Sequence, residues 1–259
     1  MLSATLLYNS ITRNLSQSLQ AVAKEPTVTR QTNYFLANIG SVKTASQLVN
    51  NSNLYSYVLS AFGLSDMSNA KALITKVLEG GTGSKSFAQS LNDPRYTALA
   101  AAFNFQANGA QTTSISSNLT TTVNNFYEQQ LENNTAQENQ GAQMALYFRR
   151  MAPSITSAYS ILGDKTLLQV VETAFNLPNT LSLENIDTQA QEISGLLNIS
   201  QLQNPTYLQN FLNRFTASYD AQNPEGSGSS TPTNALLVSS PGISSNLLLS
   251  IANLKLGGS

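Results

Sequence analysis

Few side chains in this chain could carry out covalent or acid–base chemistry. Its 259 residues include no Cys, no His and no Trp. The lack of Cys and His excludes disulfides, thiolate nucleophiles and imidazole catalysis, and also zinc, haem or iron–sulfur ligation through these side chains. Any catalysis would depend on carboxylates, Tyr or Lys. We therefore expect a protein that is not an enzyme, with no catalytic, cofactor-binding or metal site and no small-molecule substrate.

Two short motifs are similar to catalytic signatures, but each is incomplete. Residues 80–86 form a Gly-rich run with a Lys, yet a Ser separates the last Gly from the Lys, and a helical pattern precedes the run where a phosphate loop needs a strand. Ser68 and Lys71 have the spacing of the serine–lysine motif of penicillin-binding enzymes. The companion Lys-Thr-Gly motif is missing, because Leu follows the pair Lys165-Thr166. We expect a turn at the first motif and an ordinary helix start at the second.

The acidic and basic residues give no stronger signal for a site. Glu128 and Glu132 lie one helical turn apart in a polar stretch that also contains Glu138. Carboxylate pairs can serve glycoside hydrolysis or calcium binding, but no tight Gly turn gathers them here. We expect a solvated helix face. The pair Arg149-Arg150 is interpreted as ion pairing or as favourable charge near a helix C-terminus.

Charge and hydropathy restrict the partners. Lys and Arg number 13 against 14 Asp and Glu, and only 10% of residues are charged. Without clustered cations to neutralise phosphates, we expect no nucleic-acid binding. No run of about 18 apolar residues exists, so we expect no membrane span. The first ten residues lack a cationic start followed by a long apolar stretch, so we expect no cleaved signal peptide.

Apolar residues recur at helical spacing along most of the chain and predict an all-α fold. Strict strand-like alternation is absent. A first helical stripe runs from Leu7 to Val22 before Pro26, and Pro94 opens a later helix. Further helices are predicted at about 28–39, 44–63, 67–80, 114–151, 154–177, 183–197 and 205–219. A set of aromatic residues at helical spacing is expected in the core: Tyr34, Phe35, Phe62, Tyr96, Phe103 and Phe105.

An internal duplication is the most informative feature of the sequence. Three segments recur further along the chain at a nearly constant offset: 34–35 at 147–148, 61–64 at 174–177, and 91–96 at 202–207. The period of about 112 residues is longer than that of ordinary solenoid repeats. We predict two packed helical units of one type, with the first copy at 1–115 and the second at 116–220.

The character of the sequence changes after the second copy. Residues 221–233 are rich in Gly, Ser and Pro and predict a flexible linker. An apolar C-terminal segment follows at 234–259. Each Leu or Ile left in water forgoes roughly 1.5–3 kcal/mol, so this segment should dock on its own chain or on a partner. The partner-binding residues proposed there are Leu236, Leu237, Val238, Leu247, Leu248, Leu249, Ile251 and Leu254.

Four segments carry a resemblance to a known family. They are residues 34–40 (Tyr-Phe-Leu-Ala-Asn-Ile-Gly), 61–64 (Ala-Phe-Gly-Leu), 92–96 (Asn-Asp-Pro-Arg-Tyr) and 154–159 (Ser-Ile-Thr-Ser-Ala-Tyr). Over roughly residues 4–220 the chain resembles an alphaproteobacterial family of unknown function that is often encoded among flagellar genes. The resemblance implies a role in flagellar assembly or structure, and it implies no catalytic residue.

Composition is compatible with that implication. Flagellar filament, hook and rod proteins resemble this chain in being rich in Asn, Gln, Ser and Thr, and they are exported without a cleaved signal. We expect a non-enzymatic structural or assembly protein that contacts other flagellar or surface proteins or a second copy of itself. It would lie in the flagellum or outside the cell, and in the cytoplasm before export. Two alternatives remain: a secreted surface adhesin or envelope-interaction protein, and a cytoplasmic export chaperone or regulator.

Overall fold

The structure, a computed structural model, describes residues 2–224, and the regular secondary structure of this part is helical throughout. The predicted all-α fold class is confirmed. The predicted linker from residue 225 onward and the whole apolar C-terminal segment lie outside the described residues. No helix within residues 2–224 has both the length and the apolar character that crossing a bilayer requires.

The described chain forms α-helices joined by short turns and 3₁₀ segments. The helices are α1 (Ala4–Arg13), α2 (Leu15–Ala23), α3 (Pro26–Asn38), α4 (Ala45–Asn50), α5 (Ser52–Ala61), α6 (Lys71–Glu79), α7 (Phe87–Ser90), α8 (Pro94–Ala102), α9 (Phe105–Asn108), α10 (Ser116–Glu138), α11 (Gln140–Met151), α12 (Ala158–Leu162), α13 (Lys165–Phe175), α14 (Ile186–Leu196) and α15 (Pro205–Gln222).

Several long predicted helices are interrupted, and polar residues mark the breaks. The prediction of one helix over 114–151 was wrong: the chain turns at Asn139, which has φ −158° and ψ 120° and whose Oδ1 accepts from the Ala142 N–H at 3.0 Å. Asn51 likewise divides the predicted helix 44–63, and its Oδ1 accepts from the Leu54 N–H at 3.1 Å. Short amide side chains compete with the helical ladder by capping a new helix. Apolar spacing alone cannot register these breaks.

The order of elements in α3–α8 recurs in α11–α15, with a 3₁₀ segment at Ile199–Gln203 in the place of α7. Equivalent helix starts use equivalent caps, with Asn51 before α5 and Asp164 before α13. The residues Gly63 and Asn176, which follow these two helices, both have positive φ, 67° and 52°. This recurrence has the offset that the sequence predicts. The duplication itself stays a prediction, which superposition of residues 28–105 on 141–216 would test.

A single apolar core runs through both predicted copies. The long helix α10 packs on α5, α2, α3 and α8 of the first copy and on α11 of the second. At its centre the rings of Phe35, Tyr57 and Phe126 stack with centroids 4.4 and 4.0 Å apart. Of the predicted core aromatic residues, five are buried: Phe35, Phe62, Tyr96, Phe103 and Phe105. The sixth, Tyr34, is 38% exposed, so that prediction was wrong.

The first helices of the two copies pack on the other copy. Helix α1 lies mainly on α11 and α15 of the second copy, whereas α10, the first helix of the second copy, lies on α3, α5 and α8 of the first. The equivalence α3 with α11 and α8 with α15 makes these two arrangements alike. Each predicted copy is therefore contacted by the first helix of the other, while α10 also packs on α11 of its own copy.

Candidate functional site

The partner-binding residues predicted in the apolar segment, Leu236 to Leu254, lie outside the described residues. The part of the structure nearest to them in sequence is the end of α15. We define the terminal face as the surface formed by α1 and the C-terminal end of α15. It is the first of two regions with the chemistry of a functional site; the second is a buried polar cluster between the two copies.

Hydrogen bonds join the two ends of the described chain at the terminal face. The Asp220 carboxylate of α15 accepts from the backbone N–H groups of Ala4 at 2.7 Å and Thr5 at 3.0 Å. A carboxylate at this position satisfies N–H groups that have no partner inside the helix, and it complements the positive end of the helix dipole. Further along α1, Gln209 bonds with both Tyr8 and Asn9. Helix α1 is thus held by polar contacts along its length.

Helix α1 has one buried face and one exposed apolar face. Ala4, Leu7 and Tyr8 are buried against α11 and α15, and burial raises the pKa of Tyr8 to about 12. On the other side Leu2 is 52% exposed and Leu6 is 63% exposed. Single exposed Leu residues are common, but two of them beside the exit of the chain from α15 leave apolar surface available for contact.

The buried polar cluster begins where α8 of the first copy meets α13 of the second. Asp93 caps α8 and bonds with Arg95, whose Nε also lies 3.7 Å from Asp164 Oδ2. Asp164 caps α13 and accepts from the Tyr147 hydroxyl. Burial alone would lower the pKa of the Arg95 guanidinium, but the neighbouring carboxylates, Asp93 foremost, raise it. Asp66 also lies 3.7 Å from the guanidinium.

A second ion pair extends the cluster to α10. Arg150 donates from Nε and Nη2 to the two carboxylate oxygens of Glu132 at 2.6 and 2.9 Å, and from Nη2 to Gln129 at 2.8 Å. The side chains of Arg150 and Glu132 are only 6% and 1% exposed. The expectation that the acidic residues of this helix form a solvated face was therefore wrong for Glu132. The predicted ion pairing of Arg150 is confirmed.

Glu128, one turn before Glu132, has a different environment. It is half-buried, and burial raises its pKa; Glu132 adds to this rise, while Arg150 and Arg149 oppose it. A carboxyl with a raised pKa beside a second carboxylate is a pattern found in acid–base sites. Here Glu132 is already committed to Arg150 by two hydrogen bonds. The geometry therefore favours an ionic lock between α10 and α11 over an acid–base pair.

The bonds of the cluster join helices of the predicted second copy, as in the pairs Arg150–Glu132 and Tyr147–Asp164. The contact of Arg95 with Asp164 links these helices to α8 of the predicted first copy. Burial, followed by the charge of Asp164, raises the pKa of Tyr147, so this hydroxyl stays protonated as a donor. A cavity of about 360 Å³ beside the cluster is lined by Gly63, Asp66, Arg95, Gln129 and Tyr147 among others. Among residues 2–224 no group of three or more acidic side chains is placed to hold a metal ion.

The two incomplete motifs do not form sites in the described chain. The Gly-rich run forms a turn, as predicted, and its last residue, Ser86, caps α7 through its Oγ. Ser68 ends a 3₁₀ turn, while the Lys71 ammonium lies 5.8 Å from the centre of the Tyr55 ring. The cross-copy contact between Arg95 and Asp164 was missed from sequence. The available signal was that Asp93 directly precedes the helix start predicted at Pro94, which indicates a cap but not its partner; the predicted helix 154–177 ran through Asp164 and indicated no cap there.

Comparisons with known proteins give a family and one solved relative. The family model described as "Protein of unknown function (DUF1217)" matches residues 61–208. An X-ray crystal structure of a protein from Agrobacterium tumefaciens is similar at 37% identity, with a TM-score of 0.78, over 86% of this chain and 98% of the other. No curated protein matches the chain. Agrobacterium is an alphaproteobacterium, in agreement with the resemblance drawn from the sequence.

Proposed function

Since the chain belongs to the DUF1217 family of unknown function, we propose that it is a non-enzymatic structural or assembly protein of the bacterial flagellum that acts through protein–protein contacts. The observation that supports this most is the terminal face. There the first helix and the last described helix pack together, joined by the bonds from Ala4 and Thr5 to Asp220. The resemblance to flagellar axial proteins, whose end helices pack together in the assembled tube, points to the same role.

The buried polar cluster supports the proposal from another direction. Its charged groups bond to one another across helices, as Arg150 does with Glu132 and Tyr147 with Asp164. Groups engaged in this way hold the helices that carry them in one arrangement and leave few free side chains for chemistry on a substrate. Apolar residues exposed on the surface, Leu2 and Leu6 at the terminal face among them, suit a protein whose role is contact.

In this proposal the apolar segment supplies the second contact. Residues such as Leu236, Leu248 and Leu254 would bind a neighbouring flagellar protein, while Leu2 and Leu6 on the terminal face lie beside the exit from α15. Deleting residues 234–259 should leave the cooperative thermal transition of the helical body intact. A truncated chain that loses this transition would show that the segment belongs to the core, and this would remove the assembly role assigned to it.

Motility and location test the proposal together. We expect a strain lacking the protein to swim poorly and to regain motility with the wild-type chain but not with Leu6→Asp. As a control, Glu79→Lys changes an exposed residue away from the terminal face and should restore motility. Intact protein in sheared filaments or basal bodies supports a structural role. Protein found only in the soluble cytoplasm would favour the export chaperone, and normal swimming with poor attachment would favour the adhesin; either result overturns the structural proposal.

A further inference from the structure

Helix α1 is bound to the rest of the chain by a separable interface. It contacts mainly α11 and α15, through the buried residues Ala4, Leu7 and Tyr8 and the polar bonds to Asp220 and Gln209 described above. The same contacts can form whether α1 comes from its own chain or from another copy. If two molecules exchange their α1 helices, every contact of this interface is kept. The exchange changes only the path of the chain from α1 to α2 and adds the entropic cost of association.

The helical structure is interrupted between α1 and α2. At Asn14 the backbone has φ −131° and ψ 45°, and no side chain caps the start of α2. The aligned stretch of the second copy, α10, runs unbroken from Ser116 to Glu138. A non-helical residue between two short helices is a suitable hinge, because a change in its φ and ψ redirects α1 without unfolding either helix.

Within the chain, the first helices of the predicted copies already contact the other copy. Helix α1 lies mainly on α11 and α15, and α10 contacts α3, α5 and α8 as well as α11 of its own copy. We propose that α1 exchanges between molecules, so that in an assembly the groove formed by α11 and α15 receives α1 from a second copy of this chain. The inference deepens the proposed function, on which it rests, by naming a partner for the terminal face.

Concentration determines which arrangement forms. A helix tethered to its own groove has an effective concentration in the millimolar range, so the closed monomer predominates in dilute solution. In an assembly, neighbouring molecules lie close together at a local concentration that is also in the millimolar range. The exchanged arrangement then competes with the closed monomer. The exposed residues Leu2 and Leu6 would then lie at the junction of two copies, where their apolar surface can be covered.

The absence of Cys in the natural chain allows a direct test by cross-linking in the full-length protein. Asn9 on α1 and Gln209 on α15 are in contact, with Gln209 Nε2 3.3 Å from Asn9 Oδ1. Chains carrying Asn9→Cys and differently tagged chains carrying Gln209→Cys are mixed at high concentration and treated with a short bis-maleimide. A covalent heterodimer requires α1 of one chain to reach the groove of the other. The control mixture pairs Asn9→Cys with Glu79→Cys, which lies on an exposed face of α6.

We expect about tenfold more heterodimer from the Asn9 and Gln209 pair than from the control, because docking holds the two thiols together well beyond chance collision. Adding Leu7→Asp, on the buried side of α1, should abolish the yield, and Leu6→Asp, on the side that would be covered at the junction of two copies, should lower it. A yield equal to the control would overturn the inference, whether or not the Leu7 variant folds. Because the readout is independent of motility, failure here and failure of the flagellar proposal can be told apart.

Discussion

Among the ion pairs of the described residues, the guanidinium of Arg150 is the most deeply buried, and its partner is Glu132. Replacing Glu132 by Gln removes the negative charge of this pair. The Glu132 side chain is 1% exposed, and both of its oxygens accept from Arg150, at 2.6 and 2.9 Å. Removing one partner of a buried ion pair leaves the other charge without compensation, which typically costs about 3–5 kcal/mol. Because Gln keeps the volume and one acceptor, we expect the free energy of unfolding to fall by about 3 kcal/mol, the lower end of that range.

Urea denaturation of the full chain, followed by far-ultraviolet circular dichroism, measures this change. Glu138→Gln is the matched control, because Glu138 lies on the same helix but is exposed; it should change the free energy of unfolding by no more than about 0.5 kcal/mol. The double variant Glu132→Leu with Arg150→Met removes both charges and keeps apolar volume. We expect it to be more stable than Glu132→Gln, because no unpaired charge remains buried.

Two results would refute this reasoning. If Glu132→Gln unfolds at the same urea concentration as Glu138→Gln, the Arg150 guanidinium reaches water or another partner, and the pair is not buried as described. If the double variant is less stable than Glu132→Gln, the loss comes from packing around α10 and α11, and the unpaired charge is not its cause. Equal slopes of the transitions are needed before midpoints are compared, since a change in slope signals a different unfolded state.

Four further substitutions test other parts of the structure. Gly163→Ala should destabilise the protein by about 1–3 kcal/mol, because the added Cβ would lie 2.3 Å from the Asn92 carbonyl oxygen. Gly195→Ala should instead stabilise it by about 0.5–1 kcal/mol, because this residue lies in α14 with open space around its Cβ. Thermal melts of the two variants measure the difference. Glu128→Gln should stabilise the protein at neutral pH, because burial raises the pKa of Glu128 and the wild-type protein therefore loses stability as pH rises through that raised pKa. Thermal melts across pH should show that the stability advantage of the variant disappears below the usual Glu pKa, where the Glu128 side chain is neutral, as Gln is at every pH. Asp220→Ala should cost about 1 kcal/mol and speed amide hydrogen exchange in the first turn of α1.

The sequence was sufficient for the class of fold and for the approximate positions of most helices. Apolar residues at three- and four-residue spacing predicted α3, α6 and α15 to within a few residues, because a helix that buries one face must repeat in this way. The same pattern missed the breaks at Asn51 and Asn139. Both sides of each break keep their apolar faces toward the core, so the periodicity carries little trace of the interruption.

The buried polar cluster could not be predicted, for a different physical reason. Glu132 stands among Asn and Gln residues, and a local window of such composition indicates solvent exposure. Its burial depends on Arg150, which lies on the next helix and reaches it only because the chain turns at Asn139. Likewise, the predicted helix 154–177 ran through Asp164, whose role as a cap and whose contacts with Arg95 and Tyr147 arise only when α8, α11 and α13 are packed together. Burial of charge is a property of the tertiary arrangement, and the sequence around each residue does not contain it.

The two first helices show how one sequence unit can acquire two roles in one chain. In the second copy, α10 continues unbroken, contributes Phe126 to the aromatic stack and Glu132 to the ionic lock, and so joins both copies at the centre. In the first copy the same stretch is interrupted at Asn14, and α1 lies at the edge, where Asp220 caps it. Helix α10 contacts more neighbouring helices than α1 does, so moving α10 would disrupt more of the core. If the two units are equivalent in origin, the interruption at Asn14 is what distinguishes α1 from α10. It would allow α1 to leave its groove reversibly and to contact a second molecule, whereas α10 stays in place.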